Sequence, residues 1–292
     1  EGLVIIIGGG PGGIQAAQTL AERGYHVELY DDKPELGGTL HLANKAPGKF
    51  RMDMLIRYYQ HMVAQNSNIS VHLNHRITEA DLDKMQERHP IAIVLACGGM
   101  QIVPKGIPGI ERGILCNDIF TRKVKISGKR VVVVGGGMSG LEAAECLVAT
   151  GNQVTLIEMA PIVGNGTYFY NVRKTRRALE SAGTVIKTGT MLQEIRENTV
   201  VVSPYRGQFI SSAMGGVANI AGVADREETD THEGPYEIPM DAAVLALGVA
   251  PNNELAELLK KRFDRVIELG DCIKPGKISD ATSAGYWRMK NL

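Results

Sequence analysis

Two short glycine-rich segments carry the residues best placed to bind a ligand: GGGPGG at positions 8–13 and GGGMSG at positions 135–140. Each follows an apolar run and precedes a stretch of helix-forming residues. In such a segment the first glycine makes a tight turn, the second lets the backbone approach a pyrophosphate, and the third lets a helix pack closely on a strand. The free N–H groups at the start of the helix then face the phosphates. Both segments are therefore predicted to bind a dinucleotide.

An acidic residue follows the next predicted strand in each segment: Asp31 comes after HVELY, and Glu158 comes after QVTLI. A carboxylate at this place accepts hydrogen bonds from the hydroxyl groups of a ribose. Glu158 suits a free 2′-hydroxyl and would repel a 2′-phosphate, and the three residues after it, MAP, include no basic side chain. The second segment is thus predicted to prefer NADH over NADPH.

The two segments belong to one internal repeat, because the first aligns on the second without a gap when it is shifted by 127 positions. Each copy is predicted to form a strand (4–7 and 131–134), a glycine loop, a helix (14–23 and 141–150) and a second strand (26–30 and 153–157). The first strands lack polar alternation, as in parallel strands buried on both faces. We therefore predict an α/β fold with two Rossmann-like dinucleotide-binding domains. The matched positions include Gly8, Gly10, Gly13, Pro34 and Gly37, which fall on Gly135, Gly137, Gly140, Pro161 and Gly164.

Composition excludes several other classes of protein. The 292 residues suggest about two domains. Equal numbers of basic and acidic residues, 32 of each, argue against nucleic acid or an anionic membrane as the main partner. No apolar run approaches the ~20 residues of a membrane-spanning helix. The four cysteines, at positions 97, 116, 146 and 272, are dispersed, which favours buried thiols in a reducing cytoplasm and predicts no metal site.

Other stretches resemble the flavoproteins that carry two dinucleotide-binding domains, and the resemblance covers nearly the whole chain. KPELGGTL (33–40) resembles the stretch that lines FAD in that family, and IAIVLACGG (91–99) resembles the end of its first FAD segment, with Cys97 where threonine is usual. AAVLALGVAPNNEL (242–255) resembles the turn where the chain returns from the second domain. VIELGDCIKPGKISDA (266–281) resembles the motif whose aspartate binds the flavin ribityl chain. The resemblance gives Asp271 that role; the alternative is that Asp271 caps a helix ahead of Ile273.

Within this superfamily, GKFRMDMLIRYYQHMV (48–63), LALGVAPNNELAE and GDCIKPGKISDATSAGY look most like one branch, the C-terminal half of the long Old Yellow Enzyme-like flavoproteins. That branch includes 2,4-dienoyl-CoA reductase, enoate reductases and trimethylamine dehydrogenase. The resemblance implies an NADH-dependent oxidoreductase in which a hydride passes from NADH to FAD. The electrons then pass to a barrel domain or subunit that holds FMN and a four-iron cluster and lies outside these 292 residues. Disulfide reductases fit less well, because no cysteine pair stands beside the LGG turn.

Two alternatives remain open from the sequence: a free-standing NADH:acceptor reductase, and a non-catalytic module that holds ADP or FAD. Hydride transfer between the two cofactors needs no side-chain acid or base, so no catalytic residue is predicted. His41 and Lys45, shortly after the LGG turn, are interpreted as a pair of solvated loop residues, with a place near the flavin as the alternative. The segment 203–241, rich first in small and then in acidic residues, is interpreted as a surface insertion or hairpin, with a partner-docking loop as the alternative.

The predicted FAD-binding domain comprises residues 1–126 and 243–292, and the predicted NAD-binding domain comprises residues 127–242. The predicted FAD-binding residues are Gly8, Gly10, Pro11, Gly12, Gly13, Asp31, Lys33, Gly37, Gly38, Thr39, Ala96, Gly98, Gly270, Asp271 and Ile278. The predicted NAD-binding residues are Gly135, Gly137, Met138, Ser139, Gly140, Glu158 and Gly248.

Overall fold

The computed structural model describes residues 2–206 and 230–292. The strands in these residues are β1 (Leu3–Ile7), β2 (His26–Tyr30), β3 (Ile69–His72), β4 (Ala92–Leu95), β5 (Gly99–Gln101), β6 (Ile114–Leu115), β7 (Arg130–Val134), β8 (Gln153–Ile157), β9 (Val185–Lys187), β10 (Thr190–Ile195), β11 (Thr199–Pro204), β12 (Tyr236–Pro239), β13 (Ala242–Leu245), β14 (Val249–Pro251) and β15 (Val266–Glu268). The α-helices are α1 (Pro11–Glu22), α2 (Leu40–Ala43), α3 (Arg51–Gln65), α4 (Glu79–Glu87), α5 (Cys116–Phe120), α6 (Met138–Val148), α7 (Phe169–Ser181), α8 (Ala256–Arg262) and α9 (Ile278–Lys290). Two 3₁₀ turns span Ile110–Arg112 and Gly270–Cys272.

The chain divides into two compact units. Unit 1 comprises Glu1–Asn44, Lys49–Met100 and Val249–Leu292, and unit 2 comprises Lys45–Gly48 and Gln101–Gly248.

Unit 1 is built on a parallel five-stranded sheet in the order β15-β4-β1-β2-β3. Successive residues of the central strand β1 face opposite sides of the sheet. Val4 and Ile6 pack in the cluster formed with α1, α3 and α9, whereas Ile5 and Ile7 pack in the cluster formed with α4 and α8. Because both faces are covered, the strand is apolar at every position. The sheet thereby brings the carboxyl ends of β1, β2, β4 and β15 to one edge, where ligands of such folds bind.

Unit 2 repeats this sheet in the order β6-β13-β7-β8-β9, again with every strand parallel. Val131 and Val133 of β7 pack in the cluster formed with α6 and α7. Val132 and Val134 face the other side and pack against the antiparallel sheet β10-β11-β12. The carboxyl ends of β7, β8 and β13 thus lie together at one edge, as in unit 1.

The α/β fold with two Rossmann-like sheets is confirmed, and β15 completes the first sheet from the far end of the chain. The unit boundaries lie at 100/101 and 248/249, rather than at the predicted 126/127 and 242/243. The physical reason is strand pairing. β13 pairs with β7 and β6, with Val244 opposite both Val133 and Ile114, so the segments that contain β6 and β13 belong to the second unit.

The segment 203–241 begins and ends in paired strands. β11 and β12 are antiparallel, with Val202 opposite Tyr236 and Thr199 opposite Pro239. Residues 207–229 lie outside the described residues. The predicted surface insertion, and its alternative of a partner-docking loop, both concern these residues. Among the helices of the described parts, none combines the length and apolar character that crossing a membrane would require.

Candidate nucleotide-binding sites

The glycine loop of unit 1 contains two glycines that the backbone itself requires. Gly8 has φ +115°, and a Cβ there would lie 2.2 Å from the carbonyl oxygen of Ala96. A Cβ on Gly13 would lie 1.9 Å from the carbonyl oxygen of Gly8. Because glycine has no Cβ, the loop can make its tight turn at Gly8, and α1 can pack closely on β1 at Gly13.

Gly10 differs from these two glycines, because a Cβ added at Gly10 would not clash with the described backbone. Among the residues that the structure describes, an added Cβ there would have only the Cα of Gly38 within 4 Å, at 3.9 Å. Gly10 is also the N-cap residue of α1, which begins at Pro11 and carries neither a side-chain cap nor an acidic residue in its first turn. The free N–H groups and the positive end of the helix dipole are therefore left for an anionic ligand.

The carboxylate of Asp31 is held rigidly beside this loop. Its Oδ2 accepts the N–H of Gly9 at 2.6 Å, and its Oδ1 accepts the N–H of Lys33 at 2.8 Å. Each oxygen keeps a further lone pair, so the carboxylate can still accept hydrogen bonds from the hydroxyl groups of a ribose.

The loop, the acid and the strand ends enclose a cavity of about 830 Å³ that lies wholly within unit 1. A volume of this size is typical of cofactor sites, which span roughly 300–1,000 Å³. Of the fifteen predicted FAD-binding residues, all but Gly13 and Gly37 line the cavity. Gly13 supports the helix, as described above, and Gly37 donates its N–H to the carbonyl oxygen of Gly9 at 2.8 Å. Neither residue lines the cavity, but both help to fix the conformation of the glycine loop.

Asp271 lines the cavity from the 3₁₀ turn after β15. Its Oδ1 accepts the N–H of Gly276 at 3.0 Å, and burial raises the pKa of its carboxyl. The alternative of a cap ahead of Ile273 is wrong, because the next helix, α9, begins only at Ile278, after its N-cap residue Lys277. The carboxylate is therefore available to a ligand.

Sequence reasoning misplaced one cavity residue and missed others. His41 lies in the short helix α2 and lines the cavity, with Nε2 3.0 Å from the carbonyl oxygen of Leu36, so its interpretation as a solvated loop residue is corrected in favour of a place in the cavity. His75 and Arg76 line the cavity from the segment after β3. The β2–β3 pairing could have revealed them, because it places the residues after β3 at the same sheet edge as Asp31.

Cys97, which stands where the resemblance expects threonine, also lines the cavity. Its thiol lies 3.6 Å from the carbonyl oxygen of Ile7, and burial raises its pKa to about 12. The side chain is thus a neutral, weakly donating thiol at neutral pH. All four cysteines of the chain are free thiols.

Unit 2 reproduces the loop geometry of unit 1. Gly135 has φ +105°, with a would-be Cβ 2.3 Å from the carbonyl oxygen of Ala246. A Cβ on Gly140 would lie 1.9 Å from the carbonyl oxygen of Gly135, whereas one on Gly137 would have no atom of residues 2–206 or 230–292 within 4 Å beyond its chain neighbours. Gly137 is the N-cap residue of α6, which likewise has neither a side-chain cap nor an acidic residue in its first turn.

The acid of the second copy is held as in the first. Glu158 accepts the N–H of Gly136 at 2.5 Å and the N–H of Ala160 at 2.6 Å. Gly248, which follows β13, has φ +93°. The structure therefore gathers the predicted NAD-binding residues at the carboxyl ends of β7, β8 and β13.

Residues 3–268 match the sequence model of the family described as pyridine nucleotide-disulphide oxidoreductase. The chain belongs to this family. Pyridine nucleotide-disulphide oxidoreductases are flavin-dependent enzymes that bind FAD and NAD(P). Family membership also confirms the resemblance to two-domain flavoproteins drawn from the motifs.

Individual family relatives are longer than this chain. It is 30% identical over 289 residues to an NADH oxidase of Thermoanaerobacter brockii, a match that covers 97% of this chain and 40% of that protein. It is 28% identical over 294 residues to a bilirubin reductase of Mediterraneibacter gnavus, and this match also covers 97% of this chain and 40% of that protein. Among solved structures, a 2-naphthoyl-CoA reductase complex superposes on this chain with a TM-score of 0.79 at 26% sequence identity. The superposition covers 98% of this chain and 39% of the reductase chain. The chain thus spans about 40% of the length of the curated relatives it matches.

Proposed function

We propose that unit 1 binds FAD, that unit 2 binds NADH, and that the chain is the electron-input part of an enoate or 2,4-dienoyl-CoA reductase-like enzyme. In this proposal a hydride from NADH reduces the flavin, and the electrons pass to a domain or subunit that holds FMN and an iron–sulfur cluster. The observation that carries it is the repeated site. Both copies combine an open second glycine, an uncapped helix N-terminus and an acid that is fixed by two backbone N–H groups.

The residues of unit 1 fit FAD chemically. The open side of Gly10 and the first turn of α1 suit a pyrophosphate, and Asp31 suits the adenosine ribose. The partly buried carboxyl of Asp271 can accept hydrogen bonds from the hydroxyl groups of a ribityl chain. When bound, the isoalloxazine supplies the redox chemistry, and the chain supplies binding and orientation.

The strand ends support assigning FAD to unit 1 rather than to unit 2. The outer strand β15 of the first sheet leads into Gly270 and Asp271, which line the cavity. The corresponding outer strand β6 of the second sheet leads directly into α5 at Cys116, a buried residue. Unit 1 therefore offers a second carboxylate for a longer, polyhydroxylated ligand.

Preference for NADH over NADPH is part of the proposal and is testable at Glu158. Replacing Glu158 with Arg should narrow or invert the preference by about 1–3 kcal/mol, because a repulsive carboxylate is exchanged for a charged donor to the 2′-phosphate. Stopped-flow reduction of the flavin by each nucleotide measures this. Glu197→Arg, at an exposed position between β10 and β11, makes the same change of charge elsewhere in unit 2 and should leave the preference unaltered. Equal rates with NADH and NADPH in the unsubstituted protein would contradict the assignment.

The electron-input role predicts a contrast between acceptors. With NADH, the 292-residue chain should reduce ferricyanide at least about tenfold faster than it reduces an enone or an enoyl-CoA. Ferricyanide takes electrons from a bound flavin without a dedicated site, whereas alkene reduction needs a site that orients the alkene, which the resemblance assigns to the barrel. Steady-state assays of both acceptors test the proposal. Reduction of an activated alkene as fast as ferricyanide would show that the chain is a complete reductase.

A further inference from the structure

The two copies of the repeat agree beyond the glycine loop and the acid. The N–H of Gly37 donates to the carbonyl oxygen of Gly9 at 2.8 Å, and the N–H of Gly164 donates to the carbonyl oxygen of Gly136 at 2.7 Å. Both members of each pair are related by the shift of 127 positions. The turn that follows the acid is therefore tied to the glycine loop in the same way in both units.

The next backbone hydrogen bond after Gly37 and Gly164 also has the same pattern in the two copies. The N–H of Leu40 donates to the carbonyl oxygen of Gly37 at 3.2 Å, and the N–H of Thr167 donates to that of Gly164 at 3.0 Å. These donors are again 127 positions apart. The matched hydrogen bonds therefore extend to Thr167, and Tyr168 and Phe169 are the next two residues of the second copy.

In unit 1 the residues at and just after this turn line the cavity. They include Thr39, His41 and Leu42. The shift of 127 positions carries His41 onto Tyr168 and Leu42 onto Phe169. The second copy thus presents two aromatic side chains where the first presents an imidazole and a leucine.

Both of these aromatic side chains are exposed to solvent. Tyr168 is 64% exposed and Phe169 is 43% exposed. Tyr168 is the N-cap residue of α7, with φ −64° and ψ 119°, so it stands just before the helix. Tyr168 directly follows Thr167, whose N–H bonds the turn that is tied to the glycine loop, and an exposed flat ring at such a position is suited to packing against the rings of a dinucleotide.

We propose that Tyr168 is a further contact residue for the nicotinamide adenine dinucleotide in unit 2, with its aromatic ring packed against the bound dinucleotide. The proposal rests on the assignment of NADH to unit 2 made above. It adds a side chain on the turn after the acid to a site whose other predicted residues are those of the glycine loop, Glu158 and Gly248.

The test compares Tyr168→Ala with Tyr170→Ala as a matched control. Tyr170 is 85% exposed and lies only two residues further on, in α7. Loss of a stacked ring should raise the Kd for NADH about tenfold in Tyr168→Ala. The Kd of Tyr170→Ala for NADH should stay within about twofold of that of the unsubstituted protein. Tyr168→Phe should bind NADH as the unsubstituted protein does, because it keeps the ring. Equilibrium titration gives each Kd, and flavin content should be the same in all four proteins.

ADP-ribose, which lacks the nicotinamide ring, separates the two halves of the ligand. An equal loss of affinity for ADP-ribose would place the contact on the ADP half, and a loss confined to NADH would place it on the nicotinamide half; both support the proposal. Unchanged NADH binding in Tyr168→Ala, or equal weakening in both alanine variants, would overturn it. Failure of the unsubstituted protein to bind NADH would be a different result, because it would refute the assignment of unit 2 itself and the proposal with it.

Discussion

Replacing Gly10 with Ala is expected to give a folded but colourless protein. The backbone at Gly10 has φ −78° and ψ −178°, an extended conformation that alanine adopts without strain. The added methyl group would have only the Cα of Gly38 within 4 Å in the described part of the chain, which therefore tolerates it. A pyrophosphate that approaches the loop would meet that methyl group. We expect FAD affinity to fall at least about a hundredfold, a cost of ~3 kcal/mol, which flavin per chain after desalting and a melting curve would measure.

The internal repeat supplies the matched variant, Gly137→Ala. Gly137 has φ −64° and ψ 177°, and no described residue beyond its chain neighbours comes within 4 Å of its would-be Cβ. This variant should keep its flavin and its stability while NADH binding is lost. Normal flavin occupancy in Gly10→Ala, or loss of flavin in Gly137→Ala, would contradict the assignment of the two cofactors to the two units.

Replacing Gly13 with Ala should instead destabilise the fold. The new methyl carbon would lie 1.9 Å from the carbonyl oxygen of Gly8, and no side-chain rotation can relieve a clash with backbone. Helix α1 would have to move away from β1, at a cost of at least ~3 kcal/mol. Chemical denaturation of the apoprotein should show this loss, and soluble yield should fall with it.

Gly140→Ala repeats the test in unit 2, where the corresponding distance to the carbonyl oxygen of Gly135 is also 1.9 Å. The paired results separate two roles within one motif, because the second glycine faces the ligand and the third supports the helix. Stability close to that of the unsubstituted protein in Gly13→Ala would mean that the helix does not need this close approach.

The sequence was most informative where structure is local. The first two strands of each repeat and the helix between them could be predicted because uninterrupted β-branched runs and glycine stops act over a few residues. The unit boundaries could not be predicted in this way. AAVL at 242–245 is a plausible strand in either sheet, and only its pairing with Val131–Val134 and Ile114–Leu115 decides the matter.

The same distinction holds for the site in unit 1. Gly10 and Asp31 were found because their spacing within one loop–helix–strand unit is fixed by the chemistry of a dinucleotide. His75 and Arg76 reach the cavity through the pairing of β3 with β2, a long-range contact with no local sequence signal. His41 was misinterpreted for a related reason, because its position depends on the short helix α2 after the LGG turn.

Anaerobic titration of the purified protein with NADH tests the central claim most directly. The claim is that this chain binds FAD and accepts a hydride from NADH. It predicts a yellow protein whose flavin absorbance bleaches fully at about one equivalent of NADH per flavin, with little further change beyond that point. A protein that takes up no FAD, or one whose flavin absorbance is unaltered by NADH, would contradict the claim and favour a module that holds a nucleotide without redox chemistry.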